Sequence, residues 1–245
     1  MMIYAAKRER TSPLWAAAFR AGYPGEAAIS TGPDGWTGAV ALFGSPQLES
    51  VVKRAQDIGV DWYYGDHGFF GRGHYFRAAR NRRTADGADG NTDPYRFRTF
   101  NISIQQWRAT GRHIIVCPNS EAYLARHGAA NWVDETLRAL RKVTDRPLRV
   151  RWKKDAERRP LRNDLTSAWA VVTFTSNAAV EAILAGVPAF CAAPCAGLTM
   201  GSGDLSKIET PCMPSGREQW AARLANNQWT LAEIARGDLW RAIGT

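Results

Sequence analysis

The stretch from residue 165 to residue 193 constrains the fold more than any other part of the chain. Within it, residues 168–174 form an apolar run rich in β-branched and aromatic side chains, which is typical of a strand covered on both faces. A helical pattern follows at 178–186, and the apolar segment 187–190 begins another strand. Because the crossover is so short, we predict a parallel, right-handed β-α-β unit.

Polar side chains stand at the carboxyl end of the first predicted strand of this unit. Thr175, Ser176 and Asn177 lie where the free N–H groups of a helix N-terminus can hold an anion. Glu181 follows Asn177 by four residues, so its carboxylate is expected to face the same cleft, where it suits a ribose diol or a sugar hydroxyl. The alternative is structural: the polar residues cap the helix, and Glu181 favours its positive end.

The same segment resembles the donor-binding half of GT-B-type glycosyltransferases, especially their capsule-polysaccharide transferase and epimerase-like branch. In those families an S-x-x-x-x-E-A-x-x-x-G-x-P pattern meets the nucleotide-sugar, and this chain matches it at Ser176, Glu181, Ala182, Gly186 and Pro188. The resemblance implies transfer of a sugar to an acceptor hydroxyl, with a nucleotide-sugar donor, most simply a UDP-sugar, as co-substrate.

The front of the chain carries a second set of alternating strand and helix patterns. Residues 39–43 read as a buried strand, 47–58 as its helix and 60–64 as the next strand. We therefore predict an α/β fold with two Rossmann-like halves and parallel sheets, compact and GT-B-like. The expected division is an N-terminal acceptor-side half at 1–110 and a C-terminal nucleotide-sugar-binding half at 111–245.

The segment GDHGFFGRGHYFRAARN at 65–81 is the second unusual stretch. Asp66 and His67 follow a predicted strand, and the glycines after them allow an irregular loop. Capsule-type transferases carry an E-D-G-F-x-R-S-like segment at a comparable place, and the loose similarity implies Asp66 as the catalytic base, with His67 as the alternative. An ordinary loop is the other interpretation. No metal is predicted, because His67 and His74 are seven residues apart across glycines instead of four apart on a helix.

Basic residues follow a predicted strand in the second half. Arg151, Lys153 and Lys154 stand at the end of the alternating segment 148–154, and parallel strands would place them at the same sheet edge as Ser120. Cations there could bind the donor diphosphate and assist its departure. The resembling families often carry an R-x-K segment at this position. A solvated basic strand end is the alternative.

The charge balance favours a polyanionic partner. The chain has 32 Lys and Arg against 23 Asp and Glu, a net charge of +9, with basic clusters at 7–10, 77–83 and 138–162. Aromatic residues interleave with the second cluster, as stacking of an exposed base requires: Phe69, Phe70, Tyr75 and Phe76. The candidate nucleic-acid contacts are Arg72, His74, Arg77, Arg80, Arg82 and Arg83.

These observations lead to a hypothesis about the acceptor. We expect a hydroxylated base in DNA, turned out of the duplex, as in the transferases with which bacterial viruses modify their genomes. A saccharide-acceptor glycosyltransferase and a nucleotide-sugar epimerase are the enzymatic alternatives. A non-catalytic nucleic-acid-binding protein is the alternative from another class.

Composition bounds the remaining classes. Hydrophobic residues make up 45% of the chain, which with ten Trp excludes disorder, while no apolar run is long enough to span a bilayer. No membrane association is expected, and the predicted location is the cytoplasm, that of the host if the protein is viral. The four cysteines show no C-x-x-C pairing, and Cys191 and Cys195, which lie in an apolar setting, are expected to be reduced core thiols.

Overall fold

The chain forms two compact units. A computed structural model describes residues 1–5, 10–30, 35–44, 48–84, 90–157 and 159–244. The first unit joins Met1–Ala85 to Leu224–Thr245, and the second is Asp86–Arg223. Residues 7–9 and 158, which belong to two of the basic clusters, lie outside the described residues.

The first unit is built on a six-stranded sheet with the order β10-β5-β4-β3-β1-β2. Its elements are β1 (Met2–Tyr4), α1 (Thr11–Gly22), β2 (Ala28–Ser30), β3 (Val40–Phe43), α2 (Leu48–Asp57), β4 (Trp62–His67), β5 (Tyr75–Arg80), β10 (Trp229–Thr230), α9 (Leu231–Ala235) and α10 (Asp238–Ile243). Strands β1 to β4 pair in parallel, whereas β5 pairs antiparallel with both β4 and β10. The predicted parallel arrangement therefore holds for four strands of this sheet.

The C-terminal helices complete the core of the first unit. Phe19 of α1 stacks on Trp15 at 4.3 Å between ring centroids and meets Trp240 of α10 at 4.6 Å. Helices α1 and α9 cross so closely that a Cβ on Gly22 would lie 2.0 Å from the Ile234 carbonyl oxygen. The division expected at residue 110 placed the whole C-terminus in the second half. In the structure residues 224–245 belong to the first unit because their apolar faces cover α1.

The second unit is built on a four-stranded, fully parallel sheet with the order β7-β6-β8-β9. Its elements are α3 (Tyr95–Arg98), β6 (His113–Cys117), α4 (Glu121–Arg126), α5 (Trp132–Leu140), β7 (Leu148–Val150), a 3₁₀ turn (Lys153–Glu157), α6 (Leu161–Leu165), β8 (Ala168–Thr173), α7 (Ala178–Leu184), β9 (Ala189–Cys191) and α8 (Arg217–Asn226), which continues into the first unit. Every residue of β6, β8 and β9 is buried. The β-α-β unit predicted around residues 168–190 is confirmed, including its parallel pairing.

One buried side chain makes the second sheet sensitive to acid. His113, the first residue of β6, is 2% exposed, and neither ring nitrogen has a hydrogen-bond partner among the described residues. Burial lowers the pKa of His113 below its usual 6.5; the charge of Arg149 lowers it further, and Asp164 acts in the opposite direction. The folded state thus holds this imidazole neutral, and protonation favours the unfolded chain.

We expect the contribution of His113 to stability to be complete above about pH 6.5 and to be lost as the pH falls. The loss should reach at most about 1.4 kcal/mol per pH unit, because the unfolded chain takes up the proton first. His113→Leu should flatten the acid side of the stability curve measured by urea unfolding. His74→Asn, which removes an exposed imidazole, is the control and should leave the curve unchanged. Equal acid slopes for wild type and His113→Leu would contradict this assignment.

Candidate functional site

The strand order of the second sheet reverses between β6 and β8. The chain runs from β6 outward to β7, then crosses to β8 on the other side of β6 and continues to β9. Crossovers between parallel strands follow a right-handed rule, which places these two connections on opposite faces of the sheet and leaves a crevice where the order changes. In open α/β sheets, ligands bind in this crevice, outside the carboxyl ends of the strands.

Side chains from the two strand ends meet across this crevice. Asn119, after β6, accepts a hydrogen bond on Oδ1 from the backbone N–H of Thr175, after β8, at 3.1 Å. The Thr175 hydroxyl donates to the phenol oxygen of Tyr123 in α4 at 3.2 Å. Below them the Thr173 hydroxyl donates to the Cys117 carbonyl at 2.5 Å. The two loops are therefore held in one arrangement by these polar groups.

Sequence reasoning placed Thr175 at this edge but did not include Asn119 or Tyr123 in the site. The neighbouring residue, Ser120, caps α4, because its Oγ accepts from the Tyr123 N–H at 3.3 Å. The signal available in the sequence was that Asn119 follows the last residue of the buried strand β6 by two residues. Its partner is 56 residues away, so only the tertiary structure shows the bridge.

The predicted polar head of α7 is in place. Ser176 Oγ accepts from the Ala178 N–H at 3.3 Å, and the Ser176 N–H donates to Thr173 Oγ1 at 3.3 Å. Asn177 occupies the N-cap position without a side-chain cap bond. Ser176 therefore does act as a structural cap, and because a hydroxyl that accepts one bond can still donate, that role does not exclude ligand contact.

Charged side chains surround the end of β6. Burial raises the pKa of the Cys117 thiol to about 12; Arg151 opposes this shift, while Glu181 and Asp164 add to it. All three charges are thus within electrostatic reach of the last residue of β6. Glu181 is exposed in the first turn of α7.

The basic residues predicted at the end of a strand lie beyond the last residue of β7. Strand β7 ends at Val150, and the Arg151 N–H donates to the Val116 carbonyl at 2.8 Å, which brings the residue beside β6. The Arg151 guanidinium donates through Nε to Asp164 at 2.7 Å. Lys153 and Lys154 are exposed in the 3₁₀ turn that follows.

In the first unit, the segment around Asp66 is a β-hairpin where the sequence predicted a loop. Asp66 in β4 lies opposite Arg77 in β5, and their side chains form an ion pair at 2.9 Å. Asp66 Oδ1 also accepts the His67 N–H at 2.7 Å. The guanidinium of Arg77 lies 4.6 Å from the ring centroid of Phe69. The imidazole of His67 lies against aromatic rings, 5.5 Å from that of Phe43.

The glycine-rich turn of this hairpin is held by a buried amide. Gln228 is fully buried, accepts from the Phe70 N–H at 3.0 Å and donates to the Phe70 carbonyl at 3.1 Å. A Cβ on Gly68 would lie 2.8 Å from the Gln228 side-chain oxygen, so glycine is needed for the close approach. No local pattern indicated Gln228, because 158 residues separate it from Phe70.

The basic cluster at 77–83 is largely paired with carboxylates. In addition to the Asp66–Arg77 pair, Arg80 binds Asp61 at 2.6 Å and Arg83 forms an ion pair with Glu49. Arg72, His74 and Arg82 are exposed. Of the aromatic residues expected to stack on bases, three are buried and belong to the core, which corrects that interpretation: Phe69, Phe70 and Phe76. Tyr75 is half-buried.

The described residues hold neither a metal cluster nor a membrane-spanning helix. Asp66, His67 and His74 do not form a metal cluster, and no three His, Cys, Asp or Glu side chains in the described ranges lie close enough to share an ion. None of the helices in those ranges has the length and apolarity that crossing a bilayer requires.

Comparison with known proteins identifies the fold. No protein-family model matches the chain, and no curated protein sequence does. Two solved structures from Thermosulfurimonas dismutans KpsC are similar. The β Kdo 2,4 transferase shares 11% identity with a TM-score of 0.53 over 91% of this chain and 90% of its own. The β Kdo 2,7 transferase shares 14% with a TM-score of 0.55 over 98% of both chains. This confirms, at the level of the fold, the predicted likeness to capsule-type GT-B transferases.

Proposed function

We propose that the protein is a glycosyltransferase that moves a sugar from a nucleotide-sugar donor to an acceptor hydroxyl. The observation that carries this proposal is the crevice at the strand-order reversal of the second unit, where polar and charged side chains from four elements converge. The two similar structures support the reaction class, since both are transferases by name and their likeness extends over nearly the whole chain.

Each side chain of the crevice has a role in the proposed donor site. The hydroxyls and amide of Ser120, Thr175, Ser176 and Asn177 hydrogen-bond the ribose and phosphates, and Glu181 accepts from a ribose diol or a sugar hydroxyl. Cations bind the diphosphate and stabilise the charge that grows on it as the glycosidic bond breaks. These are Arg151, Lys153 and Lys154. The proposed donor is a UDP-sugar, and no metal is assigned a role.

Removal of the polar head of α7 tests the donor site. Ser176→Ala and Glu181→Ala should each weaken donor binding, by about tenfold for the loss of one hydrogen bond to a charged or polar group, while the fold stays intact. Calorimetry with the nucleotide-sugar gives the affinity. Glu135→Ala removes an exposed carboxylate from the first turn of α5 and should leave the affinity unchanged. Unchanged binding in both site variants would reduce Ser176 to a helix cap and Glu181 to a surface charge.

The proposed catalytic base is Asp66, with His67 as the alternative. Support for Asp66 is its fixed geometry: two hydrogen bonds hold the carboxylate in one orientation at the carboxyl end of β4. A general base has to be held in this way to take a proton from an attacking hydroxyl.

For the acceptor, we propose a hydroxylated base in DNA, and the net charge of +9 supports this choice. Two sequence arguments for DNA no longer hold, because most of the aromatic residues are buried and most arginines of the 77–83 cluster are paired with carboxylates. Arg72, His74 and Arg82 remain as exposed candidate contacts. The test is sugar transfer to hydroxymethylated DNA, unmodified DNA and an oligosaccharide panel at low and moderate salt. Transfer confined to hydroxymethylated DNA, and weakened by salt, is the expected result. Transfer confined to oligosaccharides would assign a saccharide acceptor instead.

A further inference from the structure

The side chain of Arg151 is held by two acceptors that use only part of its guanidinium. Nε donates to Asp164 at 2.7 Å and Nη2 donates to the Arg159 carbonyl, whereas Nη1 has no acceptor among the described residues. The Arg151 side chain is 13% exposed and that of Asp164 is 9% exposed. A cation this deeply placed requires a fixed anionic partner, and Asp164 supplies it.

The negative charge of Asp164 does not balance the positive charge around it. It also accepts from Arg159, so one carboxylate faces two guanidinium groups. Among the described side chains from residue 151 to residue 164, five are cationic and two are anionic. Arg151 brings part of this surplus beside the end of β6, where its backbone N–H reaches the Val116 carbonyl. This composition fits a ligand that carries more than one negative charge.

We propose that Asp164 is a positioning residue of the donor site: it fixes the Arg151 guanidinium through Nε so that Nη1 binds the diphosphate of the nucleotide-sugar. This inference rests on the proposed function. Asp164 itself touches no substrate, because its two carboxylate oxygens are occupied by Arg151 and Arg159. It acts by removing the rotational freedom of a long side chain, so that less conformational entropy is lost when the phosphate binds.

The test compares a nucleoside diphosphate with its nucleoside. Calorimetry with UDP and with uridine, or with the matching pair if the wild type selects another base, separates binding to the phosphates from binding to the base and ribose. Asp164→Asn should weaken UDP binding by about tenfold or more and leave uridine binding unchanged. Asp145→Asn is the matched control, since Asp145 is an exposed carboxylate in the turn before β7, at the other end of the strand.

A second variant keeps the test independent of folding. Arg151→Lys retains the charge but cannot donate to Asp164 and Arg159 from one planar group, so it should show the same selective loss of UDP binding. In an Arg151→Gln background, Asp164→Asn should cause no further loss, because the carboxylate acts only through Arg151.

The outcomes separate this inference from the function on which it rests. Full UDP affinity in Asp164→Asn, or equal losses for UDP and uridine, would overturn the positioning role while the donor site stands. A wild-type protein that binds no nucleotide at all would overturn the proposed function itself.

Discussion

Gly186→Ala should lower the free energy of unfolding by about 3 kcal/mol, the largest stability loss we expect from a single added methyl group in the second unit. Gly186 follows α7 with φ +73°, a conformation that costs L-residues free energy, and a Cβ there would lie 2.0 Å from the Gln106 carbonyl oxygen. The segment that contains Gln106 is anchored on both sides: Gln105 N–H donates to the Leu184 carbonyl and Arg108 N–H to the Gly186 carbonyl, each at 2.8 Å. The methyl group would push this segment away and break both bonds.

The control for this prediction is Gly128→Ala in the same unit. Gly128 has φ +66°, but a Cβ there meets nothing within 4 Å. In that variant the free energy of unfolding should fall only by the cost of the left-handed backbone conformation, about 1 kcal/mol. Urea unfolding of both variants gives the difference that belongs to the close approach. Equal losses of unfolding free energy in the two variants would show that the segment around Gln106 moves away from the methyl group without a loss of stability.

A buried guanidinium group holds the same segment and explains why it cannot move freely. Arg217 donates to the Gln105 carbonyl at 2.6 Å and the Ile183 carbonyl at 3.0 Å, and it lies 4.0 Å from the ring centroid of Trp107. Burial lowers the pKa of Arg217. The glycine of the Gly-Val-Pro motif is thus required by packing, whatever its relation to a ligand.

Local patterns were enough to predict the elements around the candidate donor site. The strand, helix and second strand from 168 to 191 follow from an apolar run, a change of period and a terminal glycine. Parallel pairing then places Ser120, Arg151 and Ser176 at one edge of the sheet. These inferences succeeded because each depends on residues that are adjacent in sequence.

Features that depend on distant residues were not predictable in this way. The glycines after Asp66 suggested a loop, but the segment is a hairpin because β4 pairs with β5 and the distant Gln228 holds its turn. The arginines at 77–83 looked like a free basic patch until their carboxylate partners, such as Asp61, were located by strand pairing. A charge cluster in a sequence says nothing about which of its members are already paired.

Asp66→Asn should reduce sugar transfer by about a hundredfold or more while donor affinity stays unchanged. The amide keeps the shape of the side chain but has one acceptor oxygen in place of two, so it retains only one of the bonds from Arg77 and the His67 N–H, and it cannot take a proton from the attacking hydroxyl. Transfer is measured as kcat at saturating donor. Wild-type turnover in this variant would move the role of base to His67.

A matched variant separates catalysis from stability. Asp61→Asn breaks the neighbouring ion pair with Arg80, whose side chain is 34% exposed against 18% for Arg77. Hydrogen bonds from Arg80 and Asn81 lower the pKa of Asp61, so this carboxylate also stabilises the fold as an anion. We expect Asp61→Asn to lower the melting temperature without a selective loss of kcat. Equal loss of turnover in both variants would make Asp66 a structural residue.

Thermal unfolding with UDP, GDP, CMP and their sugars tests whether the crevice between β6 and β8 holds a nucleotide-sugar. A ligand that binds only the folded chain stabilises it by about 2.7 kcal/mol at a hundredfold excess over its Kd. One nucleotide and its sugars should raise the melting temperature selectively, and Ser176→Ala and Glu181→Ala should diminish the shift. A melting temperature that none of these compounds changes would rule out a nucleotide-sugar site in the crevice.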